Sequence, residues 1–377
     1  MKIPVSQPFL DEEETKYVLS ALGDGAISGL YGQYIDKFEE DFSHYSGCAY
    51  GIATNSGTSA LHLALASLGI GHADEILVSS FTNMATFFAV LYQGAKPIPI
   101  DIEPDTWNIN PALIEEKINE KTKAILAVHI YGHPVDMDPI LKIAKKYGLY
   151  VVEDCAEAHG ALYKGIKVGS LGDVGCFSFY ANKIITTGEG GMVTTNNAEI
   201  ADKVRSLKSL AFGTNNKFMH TDIGFGYRMA NIQAAIGCAQ LKKIDEIIDK
   251  KRKIAHYYDE NLRDISGLRL PVEKNYAKNV YWMYNIVLQE GFNFPREFVM
   301  KKLTRDGIET REAFIPYNMQ EIFIQKGWVR EDECPVANYV AKNGFYIPSS
   351  PLLGKNELDY IISKIKDIRK GDGINGF

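Results

Sequence analysis

From about residue 50 to residue 200 the chain alternates short, unbroken apolar runs with segments of helical period. The runs Glu75–Ser79, Pro97–Asp101, Ala124–His129, Tyr150–Glu153, Gly175–Phe179 and Gly191–Thr195 are mostly rich in Val and Ile. Such runs predict strands buried on both faces. Between two of them, Asp138-Pro-Ile-Leu-Lys-Ile-Ala-Lys-Lys-Tyr-Gly148 predicts a helix with Asp138 as N-cap, Pro139 in its first turn and Gly148 past its end. Strands separated by helices favour a largely parallel sheet covered on both faces.

Beyond Met229 the pattern changes. Residues 229–262 read as one long helix, Ala-rich at first and then charged with apolar residues at helical spacing, of the kind that bridges two domains. An aromatic strand over Asn279–Leu288 and helices near Arg296–Arg305 and Glu357–Ile368 follow. This predicts a large domain over 1–245 and a smaller C-terminal α+β domain over 246–377. No internal repeat, low-complexity tract or linker breaks the chain.

Composition narrows the function classes. With 377 residues and a net charge of −6, no general basic field attracts nucleic acid or anionic lipid. The five cysteines include no C-x-x-C pair, which disfavours a disulfide framework or a thiolate zinc site. The early sequence has no apolar core of a signal peptide, and no run of 18 apolar residues occurs. The expectation is a cytoplasmic α/β protein with no nucleic-acid or membrane partner.

Open α/β sheets bind ligands at the carboxyl ends of their strands. Three features stand there. Ser56-Gly57-Thr58 opens a helix, whose free amides and dipole suit a phosphate. Asp154 follows a buried apolar run and needs a partner. Lys183 lies in a Gly/Thr-rich turn 29 positions after Asp154, with one strand between them. Singly these read as a helix cap, a structural ion pair and a surface lysine. Together they match pyridoxal phosphate, which takes a lysine amine, a carboxylate on its ring nitrogen and an anion cup, to which the Ser178 hydroxyl would add. A dinucleotide fold is disfavoured because no G-x-G-x-x-G string occurs. A metal site at His129, His133 and Asp136 is disfavoured because Gly132 and Pro134 make that segment a turn, so no metal is expected.

The segment Phe177-Ser-Phe-Tyr-Ala-Asn-Lys183-Ile-Ile-Thr-Thr-Gly-Glu-Gly-Gly-Met-Val193 resembles the cofactor-lysine signature of the DegT/StrS sugar aminotransferases. Glu153-Asp-Cys-Ala-Glu-Ala-His159 is a second specific mark, and Ser56–Leu65, His129–Met137, Tyr227–Gly237 and Tyr281-Trp-Met283 support it. The resemblance spans nearly the whole chain. It implies a type I pyridoxal-phosphate transferase fold, with a mostly parallel seven-stranded sheet flanked by helices plus the smaller α+β domain.

By the same resemblance, Lys183 is the catalytic Schiff-base lysine and proton carrier, and Asp154 meets the ring nitrogen. Glu157 stands near the ring hydroxyl, where many relatives carry Gln. Gly57, Thr58 and Ser178 hold the phosphate, with Ser56 beside them. The reaction implied is transfer of an amino group from L-glutamate to a keto sugar. The first acceptor is a GDP-linked 4-keto-6-deoxy sugar, for surface polysaccharide. A UDP- or dTDP-linked sugar or a small keto phosphate is the alternative, and a catalytically silent binding or regulatory protein a remote one. Dehydratases of this fold replace the lysine with histidine, so Lys183 favours transamination. A homodimer with shared active sites is also implied, with the Ala-rich stretch Met229–Gln240 expected as its flat apolar surface.

Three positions depart from the family. Asn83 stands where relatives place an aromatic that stacks on the cofactor ring. It is taken as cofactor-binding with weaker stacking; Phe81 or Phe87 is the alternative stacking residue. Gly226 replaces an Asn that reaches a phosphate across the dimer. The segment Gly25–Gly29 lacks a tryptophan common among relatives using the GDP-linked sugar.

Overall fold

The computed structural model describes residues 2–371 apart from 214 and 221; the end of the expected second domain, 372–377, lies outside the described residues. The large sheet is built from β1 (Tyr50–Thr54), β2 (Glu75–Ser79), β3 (Lys96–Ile100), β4 (Thr122–Val128), β5 (Tyr150–Asp154), β8 (Val174–Ser178) and β9 (Gly191–Thr195). The hairpin β6 (Leu162–Tyr163) and β7 (Ile166–Lys167) lies outside it. The seven strands run in the order β1-β9-β8-β5-β4-β2-β3, and only β9 is antiparallel to its neighbours. The expected mostly parallel seven-stranded sheet is therefore present. The apolar run at Tyr50–Thr54 supplies a strand that the sequence reading did not name.

Side-chain chemistry sorts the strands. β8 and β9 are buried throughout, as central strands flanked by helices must be. β3 carries Pro97 and Pro99, which cannot donate to a ladder on both sides, and it lies at an edge. Helices α1 (Glu12–Gly23), α2 (Gln33–Ser46), α3 (Gly57–Ser67), α4 (Met84–Tyr92), α5 (Met137–Tyr147) and α6 (Ala198–Lys208) accompany the sheet. α5 starts earlier than expected. Asp136, not Asp138, is at its cap position, and the Asp136 carboxylate accepts from the Tyr163 hydroxyl at 2.6 Å rather than capping. Gly148 closes the helix at φ +66°.

The long helix expected over 229–262 is two, α7 (Asn231–Leu241) and α8 (Ile244–Leu262). The chain turns at Lys243, whose ammonium bonds Asp11 at 2.8 Å and Glu14 at 2.6 Å, tying the break to the acidic start of α1. The Ala-rich stretch is not a surface. Met229, Ala234, Ala235, Cys238 and Ala239 are buried in their own chain, and α7 packs on α1 and α2. Small residues there serve close helix packing: a Cβ on Gly237 would meet the Phe38 ring at 2.7 Å.

α8 links two cores. Ile244, Ile247 and Ile248 join the core of the large sheet, whereas Ile254, Ala255, Tyr258 and Leu262 join the second. That second core sits against a four-stranded sheet of order β10-β12-β14-β13, from β10 (Leu268–Arg269), β12 (Tyr284–Leu288), β13 (Arg311–Glu312) and β14 (Gly344–Ile347). β11 (Ala277–Lys278) pairs instead with β6. Only the end of the expected aromatic strand is a strand; residues 279–283 form an irregular segment directed at the large sheet. α9 (Arg296–Arg305) lies as expected, and Lys355–Lys370 forms the last described helix. Among the described residues no helix is long and apolar enough to cross a membrane.

Candidate active site

A cavity of about 290 Å³ opens at the carboxyl edge of the large sheet. Ser56, Gly57, Thr58, Asn83, Asp154, Glu157, Ser178 and Lys183, the residues expected from the sequence to hold the cofactor, line it. β5 ends in Asp154 and its parallel neighbour β8 ends in Ser178, with Asp154 in register with Cys176. The 29-residue spacing thus delivers Asp154 and Lys183 to one edge from adjacent strands.

The expected anion cup falls at the start of α3. The Ser56 side chain is spent on capping, accepting from the Ser59 N–H at 3.1 Å. The amides of Gly57 and Thr58 begin the helix and have no carbonyl one turn back to bond. Gly57 lies so close to β8 that a Cβ there would fall 2.6 Å from the Ser178 Cβ. Glycine is what lets these amides and the Ser178 hydroxyl share one small space.

Asp154 is buried and doubly anchored. Its carboxylate accepts from the Thr86 hydroxyl at 2.9 Å and from the Ala156 N–H at 3.1 Å. Burial pushes its pKa up, while these bonds and the nearby Lys183 pull it down. Glu157 accepts from the Tyr131 N–H at 2.7 Å, and its other oxygen lies 4.0 Å from Lys183 Nζ. Burial raises its pKa, against the pull of Lys183. Lys183, with 11% of its side chain exposed, is pushed toward the neutral amine by burial, while Glu157 and then Asp154 favour the ammonium form. Its turn is held by its own N–H on the Tyr180 carbonyl at 2.9 Å and by the Thr187 N–H on the Phe179 carbonyl at 2.9 Å.

Asn83 lines the cavity, but its side-chain oxygen is occupied. Its Oδ1 accepts from the Ala85 N–H at 3.0 Å and caps α4. Neither alternative aromatic replaces it. Phe87 is stacked on Tyr317 at 4.2 Å, Phe81 packs on Tyr131 and Phe314, and both are fully buried outside the cavity lining. Gly226 is exposed, with open space around its Cβ, and does not line the cavity.

Other lining residues were not singled out. Thr86 escaped because a hydroxyl inside an apolar helix carries no sequence signal. Tyr180, Trp282, Phe314 and Tyr346 form aromatic walls, three of them from beyond residue 280. The residues weighed as metal ligands are engaged within the protein. His129 lies 3.0 Å from Glu153 and accepts from the Val135 N–H, His133 accepts from the Lys274 N–H at 3.1 Å, and Asp136 holds Tyr163. Buried His129, Glu153 and Cys155 are close enough to suggest a metal group, but Glu153 already accepts from the amides of Gly169, Leu171 and Gly172.

An amine, an anchored carboxylate facing it and free helix amides within one cavity fit pyridoxal phosphate. The comparisons agree. The model of the DegT/DnrJ/EryC1/StrS aminotransferase family matches residues 8–366. The chain is 40% identical to GDP-perosamine synthase of Caulobacter vibrioides, over 97% of this chain and 98% of that protein. It is also 40% identical to GDP-perosamine synthase of Escherichia coli O157:H7, with the same coverage. The crystal structure of S. venezuelae DesV with a ketimine intermediate superposes with a TM-score of 0.90 at 30% identity, covering 97% of this chain and 99% of that one. Helicobacter pylori PseC, an aminotransferase involved in pseudaminic acid biosynthesis, gives a TM-score of 0.92 at 27% identity, covering 98% and 100%. The chain belongs to the DegT/DnrJ/EryC1/StrS aminotransferase family and is a pyridoxal-phosphate-dependent sugar aminotransferase.

Proposed function

We propose that this enzyme transfers the amino group of L-glutamate to GDP-4-keto-6-deoxy-D-mannose, giving GDP-perosamine for a surface polysaccharide. The identity of 40% over nearly the full length to two GDP-perosamine synthases carries the substrate reading. The meeting of Lys183, Asp154, Glu157 and the α3 amides in one cavity carries the residue assignment.

When bound, pyridoxal phosphate supplies a carbonyl for the amine and a ring that accepts the electron pair released beside nitrogen. Lys183 would hold that carbonyl and, with the donor amine in its place, would move a proton at the reacting carbon. Burial favours its neutral amine, which both tasks need. Asp154, fixed by Thr86 and Ala156, would meet the ring nitrogen and hold a proton there. Glu157 would stand near the ring hydroxyl and balances the charge of Lys183. Gly57, Thr58 and Ser178 would bind the phosphate, and Asn83 would border the ring.

The proposal includes a homodimer with shared sites. Leu19 and Leu22 of α1, and Ile27, Leu30 and Tyr31 after it, are half or more exposed and give an apolar face for a second copy. This face replaces the buried Met229–Gln240 stretch. A cytoplasmic setting is supported by five free, buried cysteines.

A single-turnover experiment tests the substrate. The enzyme is loaded with pyridoxamine phosphate and mixed separately with the GDP-, UDP- and dTDP-linked 4-keto sugars and with a small keto phosphate. Return of the pyridoxal form is expected fastest with the GDP sugar. A faster return with any other acceptor replaces the proposed substrate.

A further inference from the structure

We propose that Trp282 is a positioning residue for Lys183: its ring face seats the lysine ammonium while its indole N–H fixes the backbone one residue earlier. The proposal rests on the assignment of Lys183 as the cofactor lysine. Lys183 Nζ lies 3.9 Å from the centroid of the Trp282 ring. Indole gives the strongest attraction among the aromatic faces, and more so where water is excluded. Trp282 Nε1 donates to the Asn182 carbonyl at 2.7 Å. One side chain therefore grips the main chain at 182 and the tip of residue 183, the two ends of a long flexible stem.

Trp282 is itself over-determined. It is 3% exposed and stacks on Phe314 at 6.4 Å and 11°, and Phe314 stacks on Tyr131 at 5.5 Å and 7°. The preceding Tyr281 adopts φ +49°, a left-handed conformation that is costly for a bulky residue. The Asn279 side chain holds it, accepting from the Tyr281 N–H at 2.7 Å, and the Val280 N–H bonds the Gly132 carbonyl at 3.2 Å. Gly132, at φ +98°, permits this approach; a Cβ there would fall 2.7 Å from Val280 Cγ2 and 3.0 Å from the Trp282 backbone nitrogen. Backbone strain maintained by so many contacts gathers at functional sites. Here it turns the indole toward the lysine.

The ring face also suits the task. It favours the ammonium form as Glu157 does, but it accepts no hydrogen bond that would hold the proton in place. The indole thus seats the ammonium without a directional acceptor, while the Asn182 anchor holds the main chain in either protonation state.

The test uses full-length protein freed of cofactor. Acetic anhydride labelling of Lys183 is followed by peptide mass at pH 7 and expressed against the high-pH plateau of the same variant. Looser packing alone raises both rates and leaves the ratio unchanged. Capture of pyridoxal phosphate is timed by borohydride trapping. In Trp282→Leu the labelling ratio should rise about three- to tenfold and capture should slow. In Trp282→Phe, which keeps a ring face and loses the donor, the ratio should stay near wild type while capture slows.

An unchanged ratio in Trp282→Leu overturns the seat, and wild-type capture in Trp282→Phe overturns the backbone anchor. If the Leu variant does not fold, the capture rate of the Phe variant decides. Borohydride fixation at a lysine other than 183 in the wild type would instead overturn the assignment of Lys183.

Discussion

The two sides of the cavity were made by different means. One side is the carboxyl edge of the parallel sheet, where Asp154, Ser178, Lys183 and the start of α3 stand at the ends of neighbouring strands. Backbone hydrogen bonding and short local turns position them. The other side is aromatic: Trp282, Phe314 and Tyr346 arrive from the second half of the chain, through a strained segment and long-range ring packing. The sheet side holds the groups proposed to exchange protons, and the aromatic side holds the ring proposed to seat the lysine tip. In that reading chemistry sits on the locally encoded side, and placement depends on the side assembled from a distance.

The sheet side depends most on Lys183. Lys183→Ala should lower turnover by about 10²–10⁴-fold, the usual contribution of a positioned acid–base group, and should abolish covalent capture. A steady-state rate above about a hundredth of wild type would move the chemistry away from the sheet edge.

His159, buried behind the same edge among Phe42, Phe177 and Phe179, tests the stability of that side. Burial, aided by Lys183, pushes its pKa down to about 3. Between about pH 3 and the ordinary histidine value near 6.5, the unfolded chain therefore binds more protons and stability falls as the pH falls. His159→Phe should remove this loss, a gain of about 2 kcal/mol at pH 5 and little at pH 8. Urea midpoints at both pH values measure it. Equal effects at the two values would show that the histidine is not buried neutral.

Asn83 separates capping from stacking. Asn83→Tyr should lose about 1 kcal/mol of helix-cap stability, seen as a lower Tm. It should also tighten pyridoxamine phosphate binding about three- to tenfold by restoring ring contact. Unchanged or weaker binding would mean that the existing walls already supply the stacking.

The smallest effect concerns the balance across the cavity. Glu157 favours the ammonium form of Lys183, so Glu157→Gln should move the acid limb of the pH–rate profile to lower pH. The ratio of rates at pH 6 and pH 8 should rise about two- to threefold. A shift toward higher pH would assign Glu157 another role.

Much of this architecture was legible because it is local. Apolar runs such as Ile76–Val78 and Val151–Val152 signal buried strands, and polar residues at their ends fall at the ligand edge of such a sheet. The misses have physical causes. A single helical period over 229–262 could not show that Lys243 would turn toward Asp11 and Glu14, because that attraction comes from more than 200 positions away. The same period made the Ala-rich stretch look like a surface, when its small side chains let α1 and α2 approach.

By itself, the sequence determined the parallel sheet and the gathering of Gly57, Thr58, Asp154 and Lys183 at its carboxyl edge, because strand pattern and turn chemistry act over a few residues. Only the tertiary structure decided that Asn83 caps α4, that Thr86 holds Asp154 and that the Trp282 ring lies against Lys183. Those contacts join segments far apart in the chain, and the free energy that selects them comes from packing of the whole core, which no local pattern records.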